Sequence, residues 1–227
     1  MPALPGGGEE GCVLVYDGRM GTRSSREWVG GGWHSRDYLP HFEGGGVSQF
    51  ITFRLKDSLP QEVVERWRVE LEGKEGEAEL RRRVEAYLDA GHGRALLRDA
   101  GVASLVEAAL LHFDGQRYRL AAWVVMPNHV HLLLTPLSGY TLSSIMHSLK
   151  SYTAREANKL LRREGALWQE EYFDRFIRDA KHYAQTIAYI EANPVKAGLC
   201  LHPEDWPYGS ARKRREREHT GPPPERV

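Results

Sequence analysis

The stretch that decides the fold is Trp123–Leu134, with the sequence WVVMPNHVHLLL. Two runs rich in β-formers, Tyr118–Met126 and His129–Thr135, flank the turn dipeptide Pro127-Asn128, which predicts an antiparallel hairpin. Side chains two positions apart on a strand share a face, so His129 and His131 can converge on one metal ion. The hairpin is therefore both the predicted centre of the sheet and the candidate functional site.

The flanking sequence predicts one more strand and a set of helices. Gln49–Leu55 is β-branched and aromatic and follows a run of three glycines, which indicates the first strand. Apolar residues at helical spacing predict two helices between residues 60 and 90, and others at Val102–Phe113, Thr141–Arg163 and about 181–192. This order favours an α+β fold, a ferredoxin-like antiparallel sheet covered by helices. No fourth strand is evident from the pattern.

The composition divides the chain into three parts. Residues 1–32 hold nine glycines and few large apolar groups, which predicts a flexible Gly-rich arm. We expect residues 33–210 to form a single domain with a helical insertion at about 60–92. The charged, proline-rich tail at 211–227 is expected to be extended or disordered.

Charge and apolar content limit the classes of protein that fit. The formal net charge is +0, which taken alone argues against a nucleic-acid partner. The charge is uneven, however: Arg117–Arg215 carries 15 basic against 9 acidic residues, whereas Gln61–Ala90 carries 6 against 9. With no run of eighteen apolar residues and no secretory signal, we expect a soluble, cytoplasmic protein without a membrane partner. Cys12 and Cys200 are expected to be reduced thiols.

The predicted helix Thr141–Arg163 supplies a candidate nucleophile. A rotation of 100° per residue places Tyr152, Glu156, Lys159 and Arg163 within an arc of about 60° at the border of the apolar stripe. A tyrosine there would lie beside the sheet, and Glu156 could complete a nitrogen, nitrogen and oxygen ligand set with His129 and His131. Such a set suits Mg²⁺ or Mn²⁺, with Zn²⁺ open on ligand grounds.

Each of these residues also has an ordinary structural interpretation. The HxH pair alone is a weak signal. Tyr152 could pack its ring at the edge of the core, which is the commoner role of a tyrosine on an amphipathic helix. Glu156 could pair only with Lys159, one turn away.

Several stretches in the same order resemble the REP-associated tyrosine transposases, which belong to the single-tyrosine HUH transposases. The hairpin WVVMPNHVHLLL resembles their HUH strands, and Leu149–Arg155 resembles their nucleophile helix. Further similar stretches are YLPHF (38–42), QFITFRL (49–55), GALWQEEYFDRFIRD (165–179), YIEANPVKAGL (189–199) and EDWPYGS (204–210). The resemblance covers about residues 33–210, and the order MPNHVH, KSYT, NPVKAGL is specific to it.

The resemblance implies a metal-dependent endonuclease and transposase that cuts and rejoins single-stranded DNA at hairpins such as repetitive extragenic palindromes. It implies Tyr152 as nucleophile, forming a 5′-phosphotyrosine link and freeing a 3′-hydroxyl, with His129 and His131 as ligands of Mg²⁺ or Mn²⁺. Glu156 matches only by position, because relatives often carry an amide one turn after the tyrosine, and Asn158 and Gln169 are alternative ligands. Basic residues near the predicted site are candidate DNA contacts: Lys150, Arg155, Lys159, Arg162 and Arg163. Trp168, Tyr172 and Phe173 are candidates for stacking on unpaired bases.

Two other functions stay open at this point. The chain could be a hairpin-binding or regulatory protein that has lost transposition, or a metal-dependent hydrolase that acts through water. The oligomeric state, monomer or homodimer, is not determined by the sequence.

Overall fold

The computed structural model describes residues 32–36, 39–43, 46–71 and 74–220. Two short strands, β1 (Gly32–Arg36) and β2 (Leu39–Glu43), form an antiparallel pair. The main sheet contains β3 (Gln49–Arg54), β4 (Tyr118–Val125), β5 (His129–Pro136) and β6 (Phe173–Phe176) in the spatial order β4-β5-β3-β6. All three strand pairings are antiparallel.

This arrangement confirms the predicted α+β fold with a ferredoxin-like sheet. The predicted hairpin is present as β4 and β5, and the predicted first strand is β3. The fourth strand, which the sequence pattern did not reveal, is β6 at the edge beside β3. Its four residues, FDRF, are too few to show a clear alternation, and pairing with β3 defines the strand.

Helices account for most of the remaining described chain. They are α1 (Gln61–Glu70), α2 (Lys74–Asp89), α3 (Ala100–His112), α4 (Leu142–Leu160), α5 (Ala180–Lys196) and α6 (Ser210–Thr220). Helix α6 corrects the expectation of an extended tail as far as residue 220, because the many charged residues there also have good helix propensity. The predicted arm, apart from Gly32, and residues 221–227 lie outside the described residues. None of the described helices is both long enough and apolar enough to span a membrane.

The two faces of the sheet pack against different helices. On β5, Val130, Leu132 and Leu134 point into a core that also contains Ile145 and Leu149 of α4 together with side chains of α3. Leu133 points the opposite way, into a second core that contains Ile190 of α5. Since side chains alternate along a strand, His129 and His131 lie on the face covered by α5, and α4 lies on the other face.

Helices α1 and α2 form a hairpin whose end is anchored at the turn between β4 and β5. Leu59, Val64 and Leu88 form its small buried core. The Nδ2 atom of Asn128, in the turn, donates to the carbonyls of Leu88 (3.1 Å) and His92 (3.0 Å). The segment predicted as an insertion therefore ends beside the two histidines.

Candidate metal and nucleophile site

The two histidines on β5 face each other. Both side chains are fully buried, and their Nε2 atoms lie 3.0 Å apart. Phe50 on β3 stacks on the ring of His131 with ring centroids 5.4 Å apart. The alternation of the strand brings both imidazoles to one point, as the sequence predicted.

The outer nitrogen of each imidazole is held by a neighbouring side chain. The Nδ1 of His129 lies 2.7 Å from Oδ1 of Asn128. Because the amide nitrogen of Asn128 donates to two carbonyls, its oxygen is an acceptor and the Nδ1–H of His129 donates to it. A neutral His129 then carries a lone pair on Nε2. The Nδ1 of His131 lies 2.7 Å from the Thr52 hydroxyl, which can donate or accept.

Asp89, at the end of α2, is the third member of the cluster. Its Oδ1 lies 3.8 Å from Nε2 of His129, and one ligand atom each from Asp89, His129 and His131 lies within 4.8 Å of the others. The Oδ1 atom is buried without a hydrogen-bond partner among the described residues. A buried carboxylate oxygen in that position is a ready ligand for a cation, since it otherwise bears an uncompensated desolvation cost.

Burial shifts the pKa values of His129, His131 and Asp89. Desolvation lowers the pKa of His129 to about 3. Desolvation, then the charges of His129 and Lys196, hold the pKa of His131 well below its usual value. Desolvation raises the pKa of Asp89 to about 6, an effect that Lys196 opposes and Glu85 reinforces. Both imidazoles are therefore neutral at pH 7, which is the form that binds metal.

These residues fit a divalent cation. Two imidazole nitrogens and one carboxylate oxygen form a ligand set that catalytic metal ions commonly have. Each histidine is also oriented by a hydrogen bond to its second ring nitrogen, as is usual for histidines that bind a metal. Adjacent ligands about 2.1 Å from an octahedral ion are about 3.0 Å apart, which equals the Nε2 separation of 3.0 Å. Asp89, His129 and His131 thus form the metal site supported by the geometry.

A tyrosine other than the predicted one lies at this cluster. Tyr189 on α5 has its ring centroid 5.6 Å from that of His131 and 5.8 Å from that of Phe50, both in edge contacts. Its hydroxyl is buried, with the side chains of Glu85 and Asn193 as polar neighbours. Desolvation, then the charges of Glu85 and Asp89, raises the pKa of Tyr189.

Two further residues of α5 complete this side of the site. Asn193, one turn after Tyr189, is fully buried, and its side-chain amide is close enough to interact with the Tyr189 hydroxyl. The Nζ atom of Lys196 lies 4.7 Å from the centre of the Tyr189 ring. The site thus contains an amide and a cation directly beside the phenol.

The structure does not bring Tyr152 to the histidines of the same chain. Tyr152 is 45% exposed on α4, and it lines a groove of about 350 Å³ with Leu105 and Phe113 of the α3 region. This groove lies on the face of the sheet opposite to His129 and His131. The Tyr152 phenol is on the rim of the apolar stripe of α4, as predicted. That stripe packs against the core shared with α3, on the face of the sheet opposite to the histidines.

Glu156 also lies away from the histidines. Its carboxylate accepts from Arg155 (2.8 Å) and Lys159 (3.1 Å), and these hydrogen bonds lower the pKa of Glu156. The two alternative ligands are also elsewhere: Asn158 donates to the carbonyl of Gly165, and Gln169 lines the cavity beneath α1 and α2. In this structure the third ligand atom, a carboxylate oxygen, comes from Asp89.

The basic residues predicted to contact DNA follow α4 and its C-terminal end. Lys150 is half-buried, donates to the carbonyl of Glu170 at 2.5 Å, and has its pKa lowered to about 8 by desolvation. Arg155 and Lys159 pair with Glu156. Arg163 donates to the carbonyl of Ala166 at 3.2 Å, and Arg162 is exposed with a φ of 49°. None of these contacts involves the histidine cluster.

The three aromatic residues predicted to stack on bases differ in where they lie. Trp168 is buried against Phe53 with ring centroids 4.7 Å apart and donates to the Thr153 hydroxyl at 2.9 Å, so it belongs to the core. Tyr172 is buried in the same core and reaches the wall of only one cavity, whereas Phe173 is half-buried and lines two cavities on the histidine side.

Some of the residues missed by the sequence interpretation lie in a recognisable motif, and one does not. Tyr189, Asn193 and Lys196 all lie in YIEANPVKAGL, a stretch noted for its resemblance, and the amide one turn after a tyrosine is present there. Asp89 had no comparable signal, because it is forty positions before His129 in a segment interpreted as an insertion.

Comparison with known proteins finds similarity to transposases. Residues 103–193 match the family described as "Transposase IS200 like". A REP-associated tyrosine transposase of Escherichia coli K12 is 31% identical over 94 residues, covering 41% of this chain and 54% of that protein. A Haemophilus influenzae relative of the same description is 32% identical over 103 residues, covering 41% of this chain and 58% of that protein. The chain thus matches little more than half the length of these relatives.

A solved structure of a REP-associated tyrosine transposase, bound to a REP hairpin, shares the fold. Its TM-score is 0.52 at 19% sequence identity, covering 81% of this chain and 87% of the other. The family match covers the part of the chain that carries the two histidines and Tyr189. On these matches, the segment from residue 103 to residue 193 is similar to the IS200-like transposases.

Proposed function

We propose that this protein is a metal-dependent single-stranded DNA endonuclease and strand transferase that acts at REP-like hairpin DNA during transposition. The observation that carries the proposal is the buried hydroxyl of Tyr189 beside the cluster of Asp89, His129 and His131. The site therefore contains a nucleophile beside ligands for a cation. The segment that carries the nucleophile and both histidines is the one that matches the transposases. The REP-like target is taken from the relatives, whose descriptions name REP association or a bound REP hairpin.

Tyr189 replaces Tyr152 in this proposal as the nucleophile. A nucleophile has to be within reach of the phosphate that the cation binds. Tyr189 contacts a histidine of the cluster, whereas Tyr152 is on the opposite face of the sheet. Tyr152 could act only if a second copy of the chain presented it to this site.

The reaction is a transesterification whose atoms balance without a redox partner. The phenol oxygen of Tyr189 forms a bond to phosphorus while the bond from phosphorus to the 3′ oxygen breaks. The phenol proton is lost and the leaving oxygen gains one, which gives a 5′-phosphotyrosine and a free 3′-hydroxyl. Attack by a 3′-hydroxyl on the phosphotyrosine reverses the sequence and reseals a strand, so no nucleotide cofactor is consumed.

Asp89, His129 and His131 are the residues that would hold the cation, Mg²⁺ or Mn²⁺. A bound divalent ion would stabilise the charge that develops on the phosphoryl oxygens and offset the two carboxylates beside Tyr189. Asn128 and Thr52 orient the imidazoles through their Nδ1 atoms. The buried amide of Asn193, one turn after Tyr189, interacts with the hydroxyl of that tyrosine.

A cleft beside Tyr189 is suited to the DNA strand. It has a volume of about 430 Å³, and Arg82, Arg175 and His182 line it together with Tyr189. Lys196 adds a cation 4.7 Å from the centre of the phenol ring. The two arginines and Lys196 are cationic, and cations around a scissile phosphate provide both affinity and positioning, whereas desolvation lowers the pKa of His182. The basic residues of α4 lie on the opposite face, and their contact with DNA stays a prediction.

The test is covalent capture of DNA with a matched pair of variants. The protein, Tyr189→Phe and Tyr152→Phe are incubated with Mn²⁺ and a labelled single-stranded hairpin oligonucleotide, and adducts are resolved on denaturing gels. We expect an adduct with the unchanged protein and Tyr152→Phe, and none with Tyr189→Phe. Tyr189→Phe removes a buried hydroxyl and keeps the ring, so the fold is retained.

Two outcomes would overturn the proposal in different ways. An adduct that persists in Tyr189→Phe and disappears in Tyr152→Phe would assign the nucleophile to Tyr152. Hairpin binding by the unchanged protein that survives chelation of the metal, with no adduct under any condition, would indicate the hairpin-binding regulatory protein instead. Cleavage that continues in both variants would indicate a hydrolase acting through water.

A further inference from the structure

A second cavity adjoins the histidine cluster, between the α1–α2 hairpin and the sheet. It has a volume of about 550 Å³, within the range of pockets that bind small molecules. Val64 of α1 and Leu80 of α2 form part of its apolar wall, and the segment that leads into β6 closes the opposite side with Tyr172 and Phe173. The structure gives this cavity no role in holding the metal.

The cavity lies beside the proposed catalytic site. Thr52 and Arg54 of β3 line it, and their register partners on β5 are His131 and His129. Directly opposed residues of antiparallel strands project from the same face with their Cβ atoms about 5 Å apart. Leu88, the residue before Asp89, is also in the wall. A molecule in the cavity therefore lies next to the metal ligands.

The cavity and the cleft at Tyr189 share a boundary. Glu85 and Phe173 line both spaces. A DNA strand in the cleft, with one phosphate at the histidines, would bring a neighbouring nucleotide to this boundary. The cavity is the apolar space within reach of that nucleotide.

The lining combines features that suit a nucleobase. The aromatic ring of Phe173 and aliphatic side chains of α1 and α2 offer surface for a flat ring. Arg54, whose Nη1 donates to the carbonyl of Leu59 at 2.8 Å, adds a guanidinium that stays charged, because burial lowers its pKa only to about 10. The Gln169 amide, which also lines the cavity, can donate and accept. Bases are recognised through stacking and through such edge contacts.

We propose that this cavity receives one unpaired nucleobase of the DNA strand, next to the phosphate that reacts, and thereby contributes to the choice of cleavage position. The inference rests on the proposed function for the identity of the ligand. It assigns to the α1–α2 hairpin a role in substrate selection, in addition to its delivery of Asp89.

The experiment measures binding without cleavage. Full-length Tyr189→Phe is titrated, with Mn²⁺ present, into labelled hairpin oligonucleotides that have a single-stranded extension, and fluorescence anisotropy gives Kd. Each nucleotide of the extension is replaced in turn by an abasic site. We expect one position at which the abasic site weakens binding at least about fivefold, the lower end of what stacking of one base contributes.

The cavity is then filled in the same background. Leu80→Trp places bulk in the cavity, and we expect it to weaken binding of the intact oligonucleotide while the abasic site at the sensitive position causes no further loss. Val69→Trp is the matched control, because Val69 is on α1 and 76% exposed, and it should behave as the parent. Gln169→Leu, which removes an amide with little change in volume, should reduce the differences in Kd among the four bases at that position.

The proposal is overturned if no position of the extension is sensitive to base removal. It is also overturned if Leu80→Trp, shown by circular dichroism to be folded, keeps the abasic effect of its parent, or if Gln169→Leu discriminates the four bases as the parent does. These results would leave the assignment of Tyr189 intact, since that assignment depends on the covalent adduct. Conversely, if the unchanged protein forms no adduct, the proposed nucleophile is wrong, but an effect of the abasic site on Kd would still support binding of a base in the cavity.

Discussion

Replacing Asn128 by alanine tests the link between the α2 end and the histidine pair. Asn128 is fully buried and makes three hydrogen bonds: two from Nδ2 to the carbonyls of Leu88 and His92, and one to Nδ1 of His129. At about 1 kcal/mol of net stability each, their loss should lower the free energy of unfolding by about 3 kcal/mol. For a chain of this size that corresponds to a Tm about 6–12 °C lower.

The same variant should also weaken the metal site. Without the Asn128 oxygen, the ring of His129 loses the acceptor that fixes its tautomer and orientation. Removal of such a supporting partner typically lowers metal affinity about 10- to 100-fold. Isothermal titration with Mn²⁺ at pH 7.5 measures this affinity, and a thermal melt of the metal-free protein measures stability.

Asn128→Asp separates the two effects. An aspartate keeps an acceptor for the Nδ1–H of His129 but cannot donate to the carbonyls of Leu88 and His92. We expect it to retain Mn²⁺ affinity while losing stability. The reasoning is refuted if Asn128→Ala binds Mn²⁺ as the unchanged protein does and melts within about 2 °C of it.

Two further predictions concern the metal ligands. In the metal-free protein, stability should fall from pH 7 to pH 5: His129 has its folded pKa lowered to about 3, so the unfolded chain takes up the proton first, at a cost of about 2 kcal/mol. His131 acts in the same direction, and Asp89, with its pKa raised to about 6, returns about 1 kcal/mol. Urea unfolding at both pH values measures the net loss, and a flat profile would contradict buried, neutral imidazoles. Separately, Asp89→Ala should lower Mn²⁺ affinity at least about 10-fold, whereas Glu156→Ala should leave it unchanged; the reverse result would return the oxygen ligand to Glu156.

Local patterns in the sequence were enough to predict the hairpin and most helices. The turn Pro127-Asn128 and the alternation around it define β4 and β5, and strand periodicity alone places His129 and His131 on one face. These features depend on neighbours within a few positions, so they can be recognised without a structure. Strand β6 and helix α6 escaped because the first has four residues and the second has a composition that disordered tails share.

The identity of the site's other members depended on tertiary structure. Helices α4 and α5 are both amphipathic and both carry a tyrosine with a polar residue one turn later. The period of 3.6 shows which side of each helix is buried, but not which face of the sheet that side covers. Only the packed structure places α5 with Tyr189 over the histidines and α4 with Tyr152 on the opposite face. Asp89 reaches the histidines through a contact between segments forty positions apart, a distance at which no local pattern specifies a neighbour. The sequence determined the imidazole pair, and the tertiary structure decided which phenol and which carboxylate lie beside it.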